Sequence, residues 1–384
     1  MLKTMRRALY GFFLVLLTMC ALHQSVRAAD PKLVVAYFAN WGDAPEHKVA
    51  NIPVDLVTHL NYAFGKIEAG QLSLTDHPQF AELKQLKQKY PHLKTLISMG
   101  GWGGSGQFSD IALSDESRAK FAKSCATFVN KYAFDGIDID WEYPGGGGAE
   151  PGKGRAEDAE NFVTLIRTVR AALDAQGKAD GAKYLLTIAA PAGPQNFPKI
   201  RASDVHASLD WINVMTYDYT GTWSPITSLN SPVFPPSTDE RANLSASTTM
   251  RMYLDAGVPP EKLVLGVPFY GHAFSGVPDV EHGLFQTHDK KTIRPPVDGE
   301  WTYRTIVATS LNKMQRYWND TAKVPWLFDA KAGVMISYDD PESIRVKAQY
   351  ARDQNFAGVM IWEISQDDDQ HALLKALNDG LKRK

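Results

Sequence analysis

Hydrophobic residues along this chain alternate between two periods. Short β-rich runs occur at 33–40, 56–64, 95–99, 134–142, 184–190, 211–217, 263–270 and 358–364. Most of the intervening segments instead repeat apolar residues every three to four positions, the spacing of an amphipathic helix. The clearest is 156–176, where Phe162, Leu165, Ile166, Val169, Ala172 and Leu173 form one stripe and Gly177 is expected to end it. Segments 114–132, 245–257, 341–355 and 368–381 read the same way. Eight strand–helix units predict an α/β chain folded as a (β/α)8 TIM barrel. A doubly wound open sheet is the alternative, and periodicity alone does not separate the two.

One connection is out of scale. Between Tyr270 and the helix near Pro341 lies a long stretch with scattered Pro and Gly and strand-like pieces at 301–308 and 333–337. A structureless loop of that length is rare in a compact domain, so 271–338 is read as a small inserted α+β subdomain between strands 7 and 8. It is expected on the face of the strand C-termini, where barrel active sites lie.

Composition adds a compartment. The chain is 44% hydrophobic and 22% charged with a formal charge of −2, so neither disorder nor a polyanionic partner such as nucleic acid is implied. Residues 1–29 stand apart: Lys3, Arg6 and Arg7 precede an apolar run from Ala8 to about Leu22, which closes on Val26-Arg27-Ala28-Ala29. This is the pattern of a signal peptide cut near Ala28 or Ala29, too short for a bilayer span, with Met19 out of place for a lipoprotein at Cys20. The expectation is a secreted or periplasmic protein, residues 30–384, with no membrane association after cleavage. Cys125 is then the one remaining cysteine and lies at helical spacing with Phe121, Ala122 and Phe128, as a buried structural thiol would.

The chemistry concentrates in FDGIDIDWEYP, residues 134–144. Side chains alternate along a strand, so Asp138, Asp140 and Glu142 share one face while Ile137, Ile139 and Trp141 share the other. Asp135 has the opposite parity and reads as structural. Three carboxyls on one face of a buried strand are costly, and at a spacing of about 6–7 Å they resist ionising together. One should keep its proton near neutral pH, as general acid catalysis of glycoside cleavage requires. A salt-bridged cluster is disfavoured because the strand supplies no Lys or Arg. A metal site for Mg²⁺ or Ca²⁺ is the other reading, and it predicts loss of activity in chelator.

These residues resemble the Asp-x-x-Asp-x-Asp-x-Glu signature of glycoside hydrolase family 18, the chitinases and their relatives. The resemblance extends to LISMGGW at 96–102, MTYDY at 215–219 and GVMIWEI at 358–364. It implies that Glu142 protonates the glycosidic oxygen while the substrate's own 2-acetamido oxygen attacks the anomeric carbon, without cofactor or metal. Asp140 would accept the acetamido N–H, and Asp138 would share a proton with Asp140, held by Tyr37 and Ser98. Tyr217 would donate to the acetamido oxygen, Asp218 would help to bind the distorted sugar, and Met215 would contact substrate or simply pack. Trp362 would floor the site, Trp102 and Trp223 would stack on neighbouring sugars, and Tyr270 would fit the rim. Trp211 reads as core, while Trp41, Trp318 and Trp326 carry no assignment.

The chain departs from the family at His272, where many members carry Arg, which puts in doubt a contact on the leaving-group side. The implied function is a secreted chitinase that retains configuration at β-1,4 bonds between N-acetylglucosamine units. Its partners are chitin or N-acetylglucosamine oligosaccharides, with no nucleic acid, and it is expected to be a monomer. An endo-β-N-acetylglucosaminidase acting on glycoprotein or cell-wall glycans is the alternative with the same chemistry. A non-catalytic chitin-binding lectin is a third reading, disfavoured because such members usually lack the acid that Glu142 provides.

Overall fold

The computed structural model describes residues 32–41, 44–239, 243–297 and 299–382. The expected signal peptide, 1–29, lies outside the described residues. Eight parallel strands form a closed barrel: β1 Leu33–Ala39, β2 His59–Ala63, β3 Lys94–Gly100, β4 Gly136–Asp140, β5 Leu185–Ala190, β6 Trp211–Val214, β7 Leu263–Pro268 and β8 Gly358–Trp362. The pairing of Leu33 to Ala36 with Gly358 to Ile361 closes the ring and excludes the open sheet. Helices Pro78–Lys89, Asp115–Tyr132, Asp158–Asp180, Ala246–Asp255, Pro341–Asp353 and Ala372–Leu381 surround it. Among its described residues the first connection carries only 3-10 turns, Pro45–His47, Val49–Asn51 and Val54–Leu56.

Strand parity divides the core in two. Outward residues such as Phe38, Ile97, Ile137, Ile139 and Trp141 pack against the helices. Inward residues, among them Val35, Tyr37, Leu96, Trp211, Val264 and Met360, fill the barrel. Cys125 is wholly buried in the outer layer. Between β7 and β8 stands a second sheet of antiparallel strands, ordered His272–Phe274, Val334–Ser337, Val324–Asp329 and Gln315–Asn319, the expected inserted subdomain. Its own core joins Phe274, Val277, Leu284, Trp326, Phe328 and Met335.

The structure corrects several boundaries. The fourth strand ends at Asp140 and the sixth at Val214, so Glu142 and Tyr217 lie beyond the ladder, in the turns that leave the barrel. The second strand starts at His59 because Val54–Leu56 is a 3-10 turn. Segment 301–308 is no strand: Thr302 caps Thr305 N–H and starts a helix, Tyr303–Thr309. Gly177 does not end its helix, which runs to Asp180 and stops at Gly181 in the left-handed conformation (φ 67°). Gly177 serves packing instead, since a Cβ there would meet the Ala182 carbonyl oxygen at 2.5 Å. The last helix begins at Ala372 rather than 368: Asp368 Oδ1 accepts from the N–H groups of Gln370 and Ala372 and holds the preceding residues in a turn, and the Asp367 carboxylate then accepts from Leu373 and Leu374 in the first turn of the helix.

Candidate active site

The line of acids on β4 enters the barrel at increasing height. Asp138, 0% exposed, accepts four hydrogen bonds: from Tyr37 Oη at 2.7 Å and Ser98 Oγ at 2.7 Å on Oδ2, and from Thr187 Oγ1 at 2.5 Å and Asn213 Nδ2 at 3.3 Å on Oδ1. Burial raises its pKa, and these donors act against burial by favouring the charged form. Four strands thus converge on one carboxyl, because the β3–β4 register sets Ser98 beside Asp138 and the β4–β5 register sets Thr187 on the other side.

Asp140 is a different case. It is buried, and its Oδ1 accepts no hydrogen bond from any described residue. Burial holds its proton well above the usual carboxylate range, and the charges of Glu142 and Asp138 add to the shift. An acceptor left bare inside a barrel is costly unless a ligand donor completes it. Glu142, two residues beyond the strand end, has its pKa pushed up to about 7, first by burial; Tyr143 opposes the shift with a hydrogen bond and the charge of Asp218 reinforces it. Asp135 faces outward, as its parity requires, paired with Lys87 and, at 3.6 Å, with Lys94.

Beyond β6, Tyr217 is 7% exposed and its hydroxyl points at Met360 Sδ at 3.9 Å, a weak acceptor. Burial and the negative charges of Asp140, Asp218 and Glu142 hold that hydroxyl in its protonated, donating form. Met215 is half-buried against the barrel-interior cluster. Asp218 stands in a left-handed conformation (φ 58°) and its Oδ1 receives the Tyr270 hydroxyl at 2.6 Å and His272 Nε2 at 2.7 Å. His272, the departure from the family pattern, therefore engages Asp218, and the ring of Trp223 meets it edge-on at 5.1 Å.

Trp362 ends β8 against Tyr37 at 5.3 Å and is stacked on Phe64 at 5.8 Å between ring centres. Trp41 approaches it at 6.2 Å. Trp102, Trp223 and Trp41 are 62%, 63% and 50% exposed, so each offers an indole face that the core does not use.

Sequence reasoning missed Thr187, Asn213, Phe64, Tyr143 and Trp41 as site residues. Inward parity level with Asp138 was the available signal for Thr187 and Asn213. Trp41 follows β1 as Trp102 follows β3, so the rule that selected one selects the other. Among the described residues no group of three or more His, Cys, Asp or Glu side chains is arranged to hold a metal ion. No helix among them is long and apolar enough to cross a membrane.

Known proteins share this architecture. Chitinase A1 of Niallia circulans is 36% identical over 93% of this chain, which spans 59% of that relative's length. A family 18 N-acetylglucosaminidase from Paenibacillus barengoltzii superimposes with a TM-score of 0.80 at 34% identity, covering 91% of this chain and 99% of the other. Human YKL-39, described as a pseudo-chitinase with retained chitooligosaccharide binding, gives 0.82 at 27% identity, covering 91% and 99%. The model of "Glycosyl hydrolases family 18" matches residues 33–367, and with the barrel and its β4 acids this shows that the chain belongs to glycoside hydrolase family 18.

Proposed function

We propose that the protein hydrolyses β-1,4 bonds between N-acetylglucosamine units of chitin, retaining configuration by a substrate-assisted mechanism in which Glu142 is acid and then base. The observation that carries this reading is the division of labour along β4. Asp138 is saturated with donors, Asp140 is buried with one bare oxygen, and Glu142 has its pKa near 7.

In the first step Glu142 gives its proton to the glycosidic oxygen as the C1–O bond breaks. The acetamido oxygen forms a new bond to C1, giving an oxazolinium ion. Asp140 Oδ1 accepts the acetamido N–H and, as its proton shifts to Asp138, balances the charge that develops there, while the Tyr217 hydroxyl orients the acetamido oxygen. Water then attacks C1 as Glu142, now ionised, takes its proton, and the acetamide is restored with the original configuration. Trp362 floors the reacting sugar, Trp102, Trp223 and Trp41 carry its neighbours, and Tyr270 with Asp218 borders the cleft. Residues 1–29 direct export and are removed.

The test is Glu142→Gln, assayed on defined N-acetylglucosamine oligomers. Hydrolysis should disappear while oligosaccharide binding stays measurable by calorimetry, and turnover near the wild-type rate would refute the assignment. The likeness to an N-acetylglucosaminidase favours a second reading of the same chemistry, terminal release of single sugars. Product profiles on the same oligomers and on an asparagine-linked glycan separate chitinase, exo-acting enzyme and glycan-cleaving relative. The lectin reading is opposed by the intact acid: Glu142 and its two partners are all present.

A further inference from the structure

Because β4 ends at Asp140, no strand ladder holds the backbone of Glu142. Something else must, since an acid displaced by about 1 Å can lose a factor of about 10² in rate. Its N–H donates to Ser105 Oγ at 2.9 Å. Ser105 opens a 3-10 turn, Ser105–Gln107, after β3 and is only 8% exposed. Its one hydroxyl proton is directed at Gly101 O at 2.8 Å, with Asp140 O at 3.1 Å beside it. Gly101 N–H itself donates to Asp140 O at 2.8 Å. One hydroxyl therefore joins three backbone groups: the exit of β3, the last residue of β4 and the residue that bears the acid.

The same loop carries Trp102, and Trp102 O accepts from Ala149 N–H at 2.8 Å, so the segments after β3 and β4 are tied twice. The indole of Trp102 itself is exposed.

We propose that Ser105 is a positioning residue that fixes the Glu142 backbone and couples the Trp102 platform to the acid. The proposal rests on the role given to Glu142 above. If it holds, loss of the hydroxyl matters only where the leaving group needs a proton. Ser105→Ala and Ser105→Thr would be compared with wild type on an N-acetylglucosamine tetramer and on the 2,4-dinitrophenyl glycoside of its disaccharide. The second substrate is followed by first-turnover dinitrophenol release with enzyme in excess. Dinitrophenolate departs without help from an acid, whereas a sugar hydroxyl does not.

For Ser105→Ala, kcat on the tetramer should fall about 10- to 100-fold, with dinitrophenol release reduced less than about threefold and the basic limb of the tetramer pH profile displaced. Ser105→Thr, which keeps the hydroxyl, should restore most of the tetramer rate. Equal losses on both substrates, as general loosening of the fold would give, overturn the proposal. So does an unchanged tetramer rate. Wild type that cleaves neither substrate overturns the reading of Glu142, and this inference with it.

Discussion

Burial above all keeps the proton on Glu142 in a range where an ordinary carboxylic acid has lost it, and the two neighbours that adjust the shift can be varied one at a time. In the role proposed for it Glu142 works only while protonated, so kcat/KM should fall as pH rises through about 7. The negative charge of Asp218 raises the Glu142 pKa and the Tyr143 hydrogen bond lowers it. Asp218→Asn should therefore move the basic limb to lower pH and Tyr143→Phe should move it higher, whatever each does to the maximum rate. Shifts in the same direction would sink the assignment of causes. At this scale the sequence was informative about charge and weak about neutral partners. Parity alone placed Asp138, Asp140 and Glu142 on one face and turned Asp135 outward. Thr187 draws no assignment, and Asn213, though its parity with Met215 and Tyr217 turns it inward, draws no role, because a neutral polar residue in a strand looks like any other until the register shows what it faces.

Elements were legible in kind and misjudged at their ends. The acidic and aromatic residues of 134–142 and 211–217 continue a strand-like alternation past the last ladder bond, so both strands looked longer than they are. Gly177 reads as a stop because glycine is unfavourable inside a helix, yet here it lets the chain turn back against Ala182. Gly177→Ala gains helix propensity but sets a Cβ against that carbonyl, and the net effect should be destabilising by about 1–3 kcal/mol in chemical denaturation. A stabilised variant would show that the turn yields freely.

Two further displaced carboxyls, Glu363 and Asp367, flank the turn after β8, Ile364–Gln366. Burial pushes Glu363 up to about 7 and Asp367 up to about 6, while hydrogen bonds from Ser365 and from backbone N–H groups oppose it. Because folding raises both values, their neutral forms favour the native state. That contribution is complete below the unfolded values of about 4 and is lost as pH rises through about 6 and then 7. The urea midpoint should fall between pH 5.5 and pH 8, and Glu363→Gln, neutral at both, should show a smaller fall. An equal fall in the variant would remove Glu363 from the account.

At the scale of the molecule, strand count and order were readable while closure was not, since a barrel and an open sheet present the same alternation. What separates them is the contact between Leu33 and Gly358, which no local pattern records. The exposed indoles of Trp41, Trp102 and Trp223 make a prediction at this scale. Replacing each with Ala should raise KM on hexamers several-fold more than on dimers or trimers, at nearly constant kcat. A length-independent effect would assign the residue to folding instead. The seam between β1 and β8 also sets the order of events in the life of the chain. On one side β1 can pair with β2 early, but its other edge waits for residues 358–361, and Asn378 then bonds Leu56 O across the same seam. Parallel pairings over such sequence distances form slowly. A nascent chain thus keeps that edge open until residues 358–361 have been made, which exposes it to aggregation for the same interval.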